Sequence, residues 1–253
     1  MMENTQPHDH RVNPHVSVDC VIVGFDGEDL KVLLVRQMDQ EPSQAYHDLK
    51  LPGSLIYEDE DLDEAATRVL YELAGIRNLS LVQFHAFGSK DRTRNPKDVK
   101  WLERFHRLDR QVDRIVTIAY LTLVTIDKRL TRLSDRYEAC WMRVGEMGQL
   151  AFDHNEIIAE ALRYIRQYAE ANPSVLFDLL PRKFTAAQLR RLYERVYDKT
   201  QDVRNFHKKL AQMDYVTPLE EWETGVSHRA ARYYRFDRKA YNKVHGVSKS
   251  FQE

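Results

Sequence analysis

The order of apolar and polar positions predicts a β-hairpin near the start of the chain. Apolar and polar residues alternate in part from Val16 to Phe25, and Leu30 to Val35 forms a second apolar run. Alternation with period two is typical of strands, and Asp26-Gly27-Glu28-Asp29 between the runs has the composition of a turn. Two paired strands with a tight connection are therefore expected here.

Two later segments carry the signals of capped helices. Asp61-Leu62-Asp63-Glu64 has the spacing of a capping box, and Gly75 suits the left-handed residue that follows a helix ending near Ala74. A second capped helix is expected from Asp153-His154-Asn155-Glu156 to Asn172-Pro173, because proline disfavours helix at the preceding residue. Its apolar face consists of Ile157, Ile158, Ala161, Leu162 and Ile165.

Three further strands are predicted at residues 79–87, 114–126 and 137–144, which are rich in β-branched and aromatic residues. Residues 89–113 are crowded with charged side chains and form a long insertion, of a length that is usually functional or disordered. Strands, a helix, more strands and a second helix indicate an α+β domain.

The last third of the chain changes to short helices. Thr185 and Gln188 have capping-box spacing, and the helix that they open carries an apolar set: Leu189, Leu192, Tyr193 and Val196. A second short helix, DVRNFHKKLAQM, is expected from Asp202, and two extended stretches flank Gly225. Helix, turn, basic helix and a two-stranded tail are the order of a winged helix-turn-helix.

Composition places the chain among soluble globular proteins. Of 253 residues, 43% are hydrophobic and 30% are charged, which fits one large or two modest domains. The longest nearly apolar run, residues 115–126, is too short to span a bilayer. Residues 1–14 read as a flexible polar tail, and Cys20 and Cys140 as buried free thiols. A cytoplasmic protein without membrane contacts is expected.

The net charge of −1 conceals an asymmetry along the chain. Residues 181–253 contain 16 Lys and Arg against 9 Asp and Glu, whereas residues 1–180 contain 22 against 30. A basic C-terminal third joined to an acidic body indicates two domains, one of which meets a polyanion. A charged, simply solvated surface would give the same balance.

The second C-terminal helix has the residue types of a DNA recognition helix, in which Arg and Lys contact guanine edges or phosphates and Asn contacts adenine. Its buried stripe is expected to comprise Val203, Phe206, Leu210 and Met213. The other faces then carry Arg204, Asn205, His207, Lys208 and Lys209. In the tail, basic residues of a wing would meet the sugar–phosphate backbone, and the candidates are His228, Arg229 and Arg232. The alternative is a small α/β appendage that dimerises the protein.

Residues 52–76, PGSLIYEDEDLDEAATRVLYELAGI, resemble the Nudix box, G-x5-E-x7-R-E-U-x-E-E-x-G-U with U aliphatic. The matching positions are Glu60, Arg68, Leu70, Glu72, Gly75 and Ile76. Ser54 replaces the first glycine, and Val69 and Leu73 stand where the box has glutamates. The resemblance implies a Nudix fold, a mixed sheet with helices on its faces.

The two lost glutamates bear directly on catalysis. Positions 69, 72 and 73 share one helical face, from which a Nudix hydrolase directs three carboxylates at magnesium. Only Glu72 is left here, so the sequence predicts no metal, no cofactor, no catalytic residue and no ordinary hydrolysis. The main alternative is a magnesium-dependent Nudix pyrophosphohydrolase whose metal is held by other acids, with the basic tail as an accessory. A third is an interaction module that binds neither DNA nor substrate.

A pocket of the Nudix fold would still bind a small-molecule effector. Its candidate lining residues bear hydrogen-bonding or aromatic side chains: Arg36, Glu72, Phe87, Asp91, Arg92, Tyr120, Trp141, Asp153 and His154. Each also has a structural interpretation as core, surface charge or helix start, so the group rather than any member carries this hypothesis.

Both halves together resemble the Nudix-related transcriptional regulators of the NrtR-like family, over residues 16–241. The firmest similarities are LLPRKFTAAQLRRLYERVY, VRNFHKKLAQMDYV and LAFDH. The resemblance implies a Nudix domain at 15–172 that senses a small molecule and a winged helix-turn-helix at 173–245. The latter would bind double-stranded operator DNA as a homodimer, with a tail at 246–253.

The resemblance also bears on the effector. Some members of the family answer to ADP-ribose, whereas others, with a box like RVLYELAGI, are sugar-responsive and govern the use of arabinose or related pentoses. The box of this chain resembles that second branch. The insertion at 89–113 is longer than the loop expected for the family.

Overall fold

A computed structural model describes residues 11–37, 49–77, 79–96, 98, 114–126, 137–227 and 229–246. Its first part is built on a six-stranded mixed sheet. The strands are β1 (Val12–Phe25), β2 (Leu30–Gln37), β3 (Gly53–Tyr57), β4 (Val82–Phe87), β5 (Val116–Thr125) and β6 (Tyr137–Arg143). Their order is β4-β5-β1-β2-β6, and β3 pairs with β1.

The predicted hairpin is confirmed, because β1 and β2 pair antiparallel with Phe25 opposite Leu30. β1 begins at Val12, which pairs with Tyr57 of β3, so residues 12–14 belong to the sheet although they were expected in the tail. β1 also pairs in parallel with β5, from Val16 opposite Val116 onwards. Flanked by strands on both edges, β1 is the central strand and is buried on both faces from its middle onwards.

One helix covers each face of the sheet. α1 (Leu62–Ala74) has the predicted capping box at Asp61 and Glu64, and Gly75 ends it at a φ of 61°. α1 packs on Val18, Cys20 and Ile22, whereas α2, which runs from His154 to Ala171, packs on the other face. Among the described residues, no helix combines the length and the apolar character that crossing a membrane requires.

The predicted cap at the start of α2 is wrong in one respect. Asp153 is the N-cap residue, but its side chain makes no capping hydrogen bond. The carboxylate instead lies beside the guanidinium of Arg92, 3.1 Å from Nη2, because a buried charge is stabilised most by an opposite charge.

Two predicted strands are shorter in the structure than in the sequence pattern. The strand predicted at 79–87 begins at Val82, and the one predicted at 114–126 begins at Val116. The strand predicted at 137–144 ends one residue early, because Val144 is the first residue of a 3-10 turn. Of the 89–113 insertion, residues 97 and 99–113 lie outside the described residues.

The winged helix-turn-helix is confirmed in its order of elements. It follows a 3-10 segment (Pro173–Leu179) and comprises β7 (Phe184–Thr185), α3 (Ala186–Tyr197), α4 (Val203–Ala211), β8 (Val216–Trp222) and β9 (Arg232–Phe236), with a further helix α5 (Arg238–His245). The strands form an antiparallel sheet in the order β7-β9-β8.

Of the four residues predicted to form the buried stripe of α4, one is exposed. Val203 is 54% exposed, because it is the first residue of the helix and the α3 surface begins to cover α4 only one turn later. Phe206 and Leu210 are buried as expected, and Met213 is buried although it lies beyond the end of α4.

A single apolar core continues from the α2 side of the large sheet into the winged helix. Leu176, Leu179 and Leu180 of the connecting segment are buried in it, together with Leu189 and Leu192 of α3. Phe177 stacks on Phe236 of the wing, with the ring centroids 4.1 Å apart. The connecting segment is therefore part of the core rather than a linker.

Candidate functional site

A cluster of buried charges lies on the α2 side of the large sheet. Its centre is Asp19, which is only 5% exposed and lies in the central strand β1. Side chains alternate along a strand, so Ser17 and Asp19 share the face on which Val21 and Val23 pack against α2. The sheet thus places one carboxylate in an otherwise apolar layer.

The partners of Asp19 come from separate segments. The hydroxyl of Thr117 on β5 donates to Oδ2 at 2.7 Å, and Nη2 of Arg92 lies 3.4 Å from the same oxygen. Nε2 of His154 lies 3.5 Å from Oδ1. Burial opposes ionisation of Asp19, but these neighbours outweigh it and hold the pKa of the carboxyl well below its usual range.

The orientation of His154 is fixed by the backbone. Its Nδ1 accepts a hydrogen bond from the amide of Leu51 at 3.0 Å. An N–H group only donates, so Nδ1 carries no proton and the ring proton lies on Nε2, on the side of Asp19. His154 therefore presents a donor to the cluster in its neutral form.

Arg92 joins this cluster to the start of α2. Its Nη1 donates to the carbonyl of Phe87 at 3.2 Å, and Nη2 lies 3.1 Å from Oδ1 of Asp153. Within the described part of the chain, Nε of Arg92 and both carboxylate oxygens of Asp153 take part in no hydrogen bond. Burial raises the pKa of Asp153 even though Arg92 and His154 oppose this shift. Buried polar atoms without a hydrogen bond, here Nε of Arg92 and Oδ2 of Asp153, suit a polar ligand.

Lys50 brings an amine to the same place. It is 5% exposed, and its Nζ donates to the carbonyl of Gly53 at 3.4 Å. Burial lowers the pKa of Lys50 to about 7, although the negative charge of Asp19 opposes the shift. Gly53 pairs with Asp19, and a Cβ at this position would lie 1.9 Å from Oδ1 of Asp19. Glycine is therefore required where the box begins.

These side chains surround a cavity of about 30 Å³, room for one or two water molecules. The ring of Phe152 forms one wall, with its centroid 5.4 Å from that of His154. Phe152 has a φ of 53°, and its amide donates to Asp98 at 3.0 Å. An open groove of about 950 Å³ adjoins the cavity, shares Arg92 and Phe152 with it, and is bordered by residues from the segments 89–95 and 147–156 and by Asp98.

The nine predicted effector residues do not share one pocket. Arg92 and His154 line the cavity, Asp153 and Asp91 line the adjoining groove, and Phe87 supplies a carbonyl to Arg92. The other four lie elsewhere, two of them because side chains alternate across the sheet. Tyr120 and Trp141 pack under α1, Glu72 lies on the outside of α1, and Arg36 pairs with Glu138 on the neighbouring strand.

Three residues of the cluster were missed from the sequence: Asp19, Lys50 and Thr117. Two of them carried a signal, since Asp19 lies in the middle of an apolar strand and Lys50 stands between Leu49 and Leu51. A charge in a segment predicted to be buried needs a partner and marks a site. Thr117 gave no such signal, because threonine is common in strands.

The residues that match the Nudix box form a structural ion-pair group. Arg68 donates from Nε to Glu60 at 2.8 Å and from Nη1 to Glu72 at 3.2 Å, and its guanidinium lies 4.0 Å from the ring centre of Tyr57. Val69 and Leu73 are buried in the core beneath α1. The described residues contain no group of three His, Cys, Asp or Glu side chains placed to hold a metal.

The exposed surface of α4 carries most of the predicted DNA-binding residues. Arg204, Asn205, His207 and Lys208 are exposed, and none of them forms an ion pair with another described residue. Arg229 is exposed in the loop of the wing, whereas His228 lies outside the described residues. This part of α4 is therefore available to an anionic partner.

Two of the predicted DNA-binding residues are engaged within the winged helix. The ammonium of Lys209 lies 4.4 Å from the ring centre of Tyr193, and burial lowers its pKa. Arg232 donates to the carbonyl of Leu219 at 2.7 Å and pairs with Glu220. The acidic side chains of β8 thus neutralise part of the wing.

Comparison with known families identifies both parts of the chain. Residues 13–164 match the NUDIX domain, and residues 176–236 match the NrtR DNA-binding winged helix domain. The chain therefore belongs to the Nudix family. It joins a Nudix domain to a winged helix of the NrtR type, as the sequence predicted.

Solved structures show the same architecture. Shewanella oneidensis NrtR complexed with a 27mer DNA is 23% identical, with a TM-score of 0.61 over 88% of this chain and 93% of that one. A MutT/nudix family protein from Enterococcus faecalis is 22% identical, with a TM-score of 0.59 over 92% of this chain and 90% of that one. These likenesses establish the fold. Among curated proteins, none matches the chain.

Restoring a box glutamate at position 69 should destabilise the protein rather than create a metal site. Val69 is fully buried among apolar side chains, so Val69→Glu should lower the free energy of unfolding by on the order of 3 kcal/mol. Urea unfolding measures this loss, with Thr67→Glu on the exposed side of α1 as the control. A Val69→Glu protein that is as stable as the control, or that magnesium stabilises, would contradict the assignment.

Lys50 should make stability depend on pH. Its pKa in the folded chain is about 7 against 10.5 for an unperturbed lysine. Between these values the unfolded chain binds a proton that the folded chain does not, so stability rises with pH. Lys50→Met should remove up to about 1.4 kcal/mol per pH unit of this rise between about pH 7.5 and 9.5, measured by urea unfolding. If stability changes with pH in parallel for both proteins, the pKa of Lys50 is not lowered in the folded chain.

Proposed function

We propose that the chain is a ligand-responsive transcriptional regulator whose winged helix binds operator DNA and whose Nudix domain binds an effector without hydrolysing it. The proposal rests on the exposed polar and basic set on α4, which forms no ion pair with any described residue, within a winged helix that matches the NrtR DNA-binding type. The similar NrtR from Shewanella oneidensis was crystallised with a 27mer DNA, which supports the same partner here.

Each DNA-facing residue has a role in this proposal. Arg204 and Lys208 donate to guanine edges or phosphates, Asn205 suits adenine, and His207 lies beside them. Arg229 contacts the backbone from the wing. Lys209 and Arg232 support the surface, because one stacks on Tyr193 and the other pairs with Glu220. A homodimer then places two such helices on the half-sites of a palindromic operator.

The effector site is the groove of about 950 Å³, to which the small cavity around Asp19 adds buried polar groups. Asp19 and Asp153 accept hydrogen bonds from hydroxyl groups, Arg92 donates through the Nε that has no partner among the described residues, and Phe152 offers an aromatic face. This combination suits a polyhydroxylated ligand. We propose a pentose such as L-arabinose, in line with the box resemblance, or a nucleotide sugar such as ADP-ribose that extends along the groove.

The hydrolase alternative is less well supported, because the acids that it needs are already engaged. Glu60 and Glu72 bind Arg68, Asp63 accepts a hydrogen bond from Tyr120 at 2.6 Å, and Asp61 and Glu64 cap α1. A metal would have to break these contacts to gather several carboxylates. Magnesium-dependent cleavage of ADP-ribose that Glu72→Gln abolishes would establish this alternative instead.

Loss of the Lys208 charge should weaken binding to all DNA sequences. One phosphate contact fewer reduces the slope of log affinity against log salt by about 1. Fluorescence anisotropy with a duplex selected from a random library would measure affinity and slope for Lys208→Ala. Lys90→Ala, an exposed lysine of the Nudix domain, is the control that should change neither. If Lys208→Ala behaves like this control, α4 does not face DNA.

Substitution of Arg92 should weaken effector binding but leave DNA binding intact. Calorimetric titration of L-arabinose, and separately of ADP-ribose, into wild type and Arg92→Gln should show at least a tenfold loss for whichever ligand binds, since one charged hydrogen-bonding group is worth about 1.5–3 kcal/mol. Arg163→Gln, exposed on α2 and outside the groove, is the matched control. DNA affinity without ligand reports correct folding of both variants. Unchanged ligand affinity in Arg92→Gln would place the effector elsewhere.

A further inference from the structure

The turn that ends β1 contacts the first helix of the winged helix directly. Nη1 of Arg191 donates to Glu28 at 2.6 Å, and Nε of Arg195 lies 2.6 Å from Oδ1 of Asp29. Arg195 also donates to the carbonyl of Glu28 at 3.1 Å. The acidic turn and one basic face of α3 therefore form a defined polar contact between the two domains.

This turn has a fixed shape. The amides of Glu28 and Asp29 donate to Oδ1 of Asp26 at 2.9 and 2.8 Å, and Lys31 pairs with the same carboxylate at 2.8 Å. Gly27 has a φ of 99°, and a Cβ there would lie 3.2 Å from Nε2 of Gln188. The turn is thus a rigid end of β1 rather than a loose loop.

Two elements connect the effector cavity to α3. β1 carries Asp19 in the cavity and ends at the turn. α2 begins at His154 in the cavity, and further along it Nε of Arg166 donates to the carbonyl of Val196 at 2.9 Å. Two rigid elements therefore connect the cavity to α3.

The position of α3 in turn sets that of α4. Tyr193 of α3 packs on Phe206 of α4, with centroids 5.9 Å apart, and Lys209 of α4 stacks on the same tyrosine. Between the turn, α2 and α3 lies an open crevice of about 570 Å³, bordered by Asp29, Arg166 and Arg195. On this side α3 is held to the turn by polar contacts beside open space, whereas Leu189 and Leu192 of α3 are buried in the apolar core.

We propose that the contact of Glu28 and Asp29 with Arg191 and Arg195 fixes the orientation of the winged helix and transmits effector occupancy to the DNA-binding helix. This inference rests on the proposed function. Arg191 and Arg195 act as positioning residues, since their side chains bind the turn rather than DNA or effector. An effector bound near Asp19 would change the free-energy difference between the formed and the broken contact.

The first test needs no ligand. Spin labels at Thr67→Cys and Lys243→Cys, with Cys140→Ser, report the distance between the domains. Arg191→Glu should broaden or shift this distance distribution, because it repels Glu28, whereas Lys199→Glu at an exposed site after α3 should leave it unchanged. The exchanged pair Glu28→Arg with Arg191→Glu should restore the wild-type distribution. A wild-type distribution for Arg191→Glu alone would overturn the inference.

The second test measures coupling. The ratio of DNA affinities with and without saturating L-arabinose, or ADP-ribose, should fall towards 1 in Arg191→Glu and recover at least half of its wild-type size in the exchanged pair. The ligand should still bind in the absence of DNA, because no residue of the cavity is changed. A wild-type affinity ratio in Arg191→Glu would refute transmission through this contact. A wild-type protein that responds to neither ligand would refute the proposed effectors, and the distance measurement would still decide the contact.

Discussion

A single buried carboxylate organises the Nudix domain. Asp19 lies in the central strand, and taking an unpaired carboxylate out of water costs several kcal/mol. The fold offsets this cost with Thr117 from β5, Arg92 from the segment after β4 and His154 from the start of α2. Gly53 of β3 is needed because no side chain fits beside the carboxylate. One charge thus fixes where four segments meet, and that meeting point is the candidate effector site.

The same principle explains which parts of the Nudix box persist. Arg68 is retained together with Glu60 and Glu72, since the three side chains hold α1 against the end of β3. At positions 69 and 73, aliphatic side chains extend the core beneath α1. The box region of this chain is thus held by an ion-pair group on one side of α1 and by apolar packing on the other.

The sequence predicted local structure better than it predicted the site. The capping boxes of Asp61 and Thr185 were readable because a cap depends on residues three positions apart. The effector residues were not, because whether Tyr120 and Arg92 share a face depends on strand register and on the path of the chain after β4. Likewise, nothing near Lys209 or Arg232 in sequence indicated that Tyr193 and Glu220 would engage them. Long-range pairing decides such contacts.

In the proposed function, effector binding and DNA binding are linked through one folded unit, consistent with the apolar core that runs from the large sheet into the winged helix. The most direct measurement is the affinity of the full chain for a selected operator duplex, by fluorescence anisotropy, in the absence and presence of saturating L-arabinose or ADP-ribose. Tight, salt-dependent binding that one ligand changes about tenfold or more is the expected result. Binding no tighter than to random duplex, together with magnesium-dependent turnover of ADP-ribose, would contradict it.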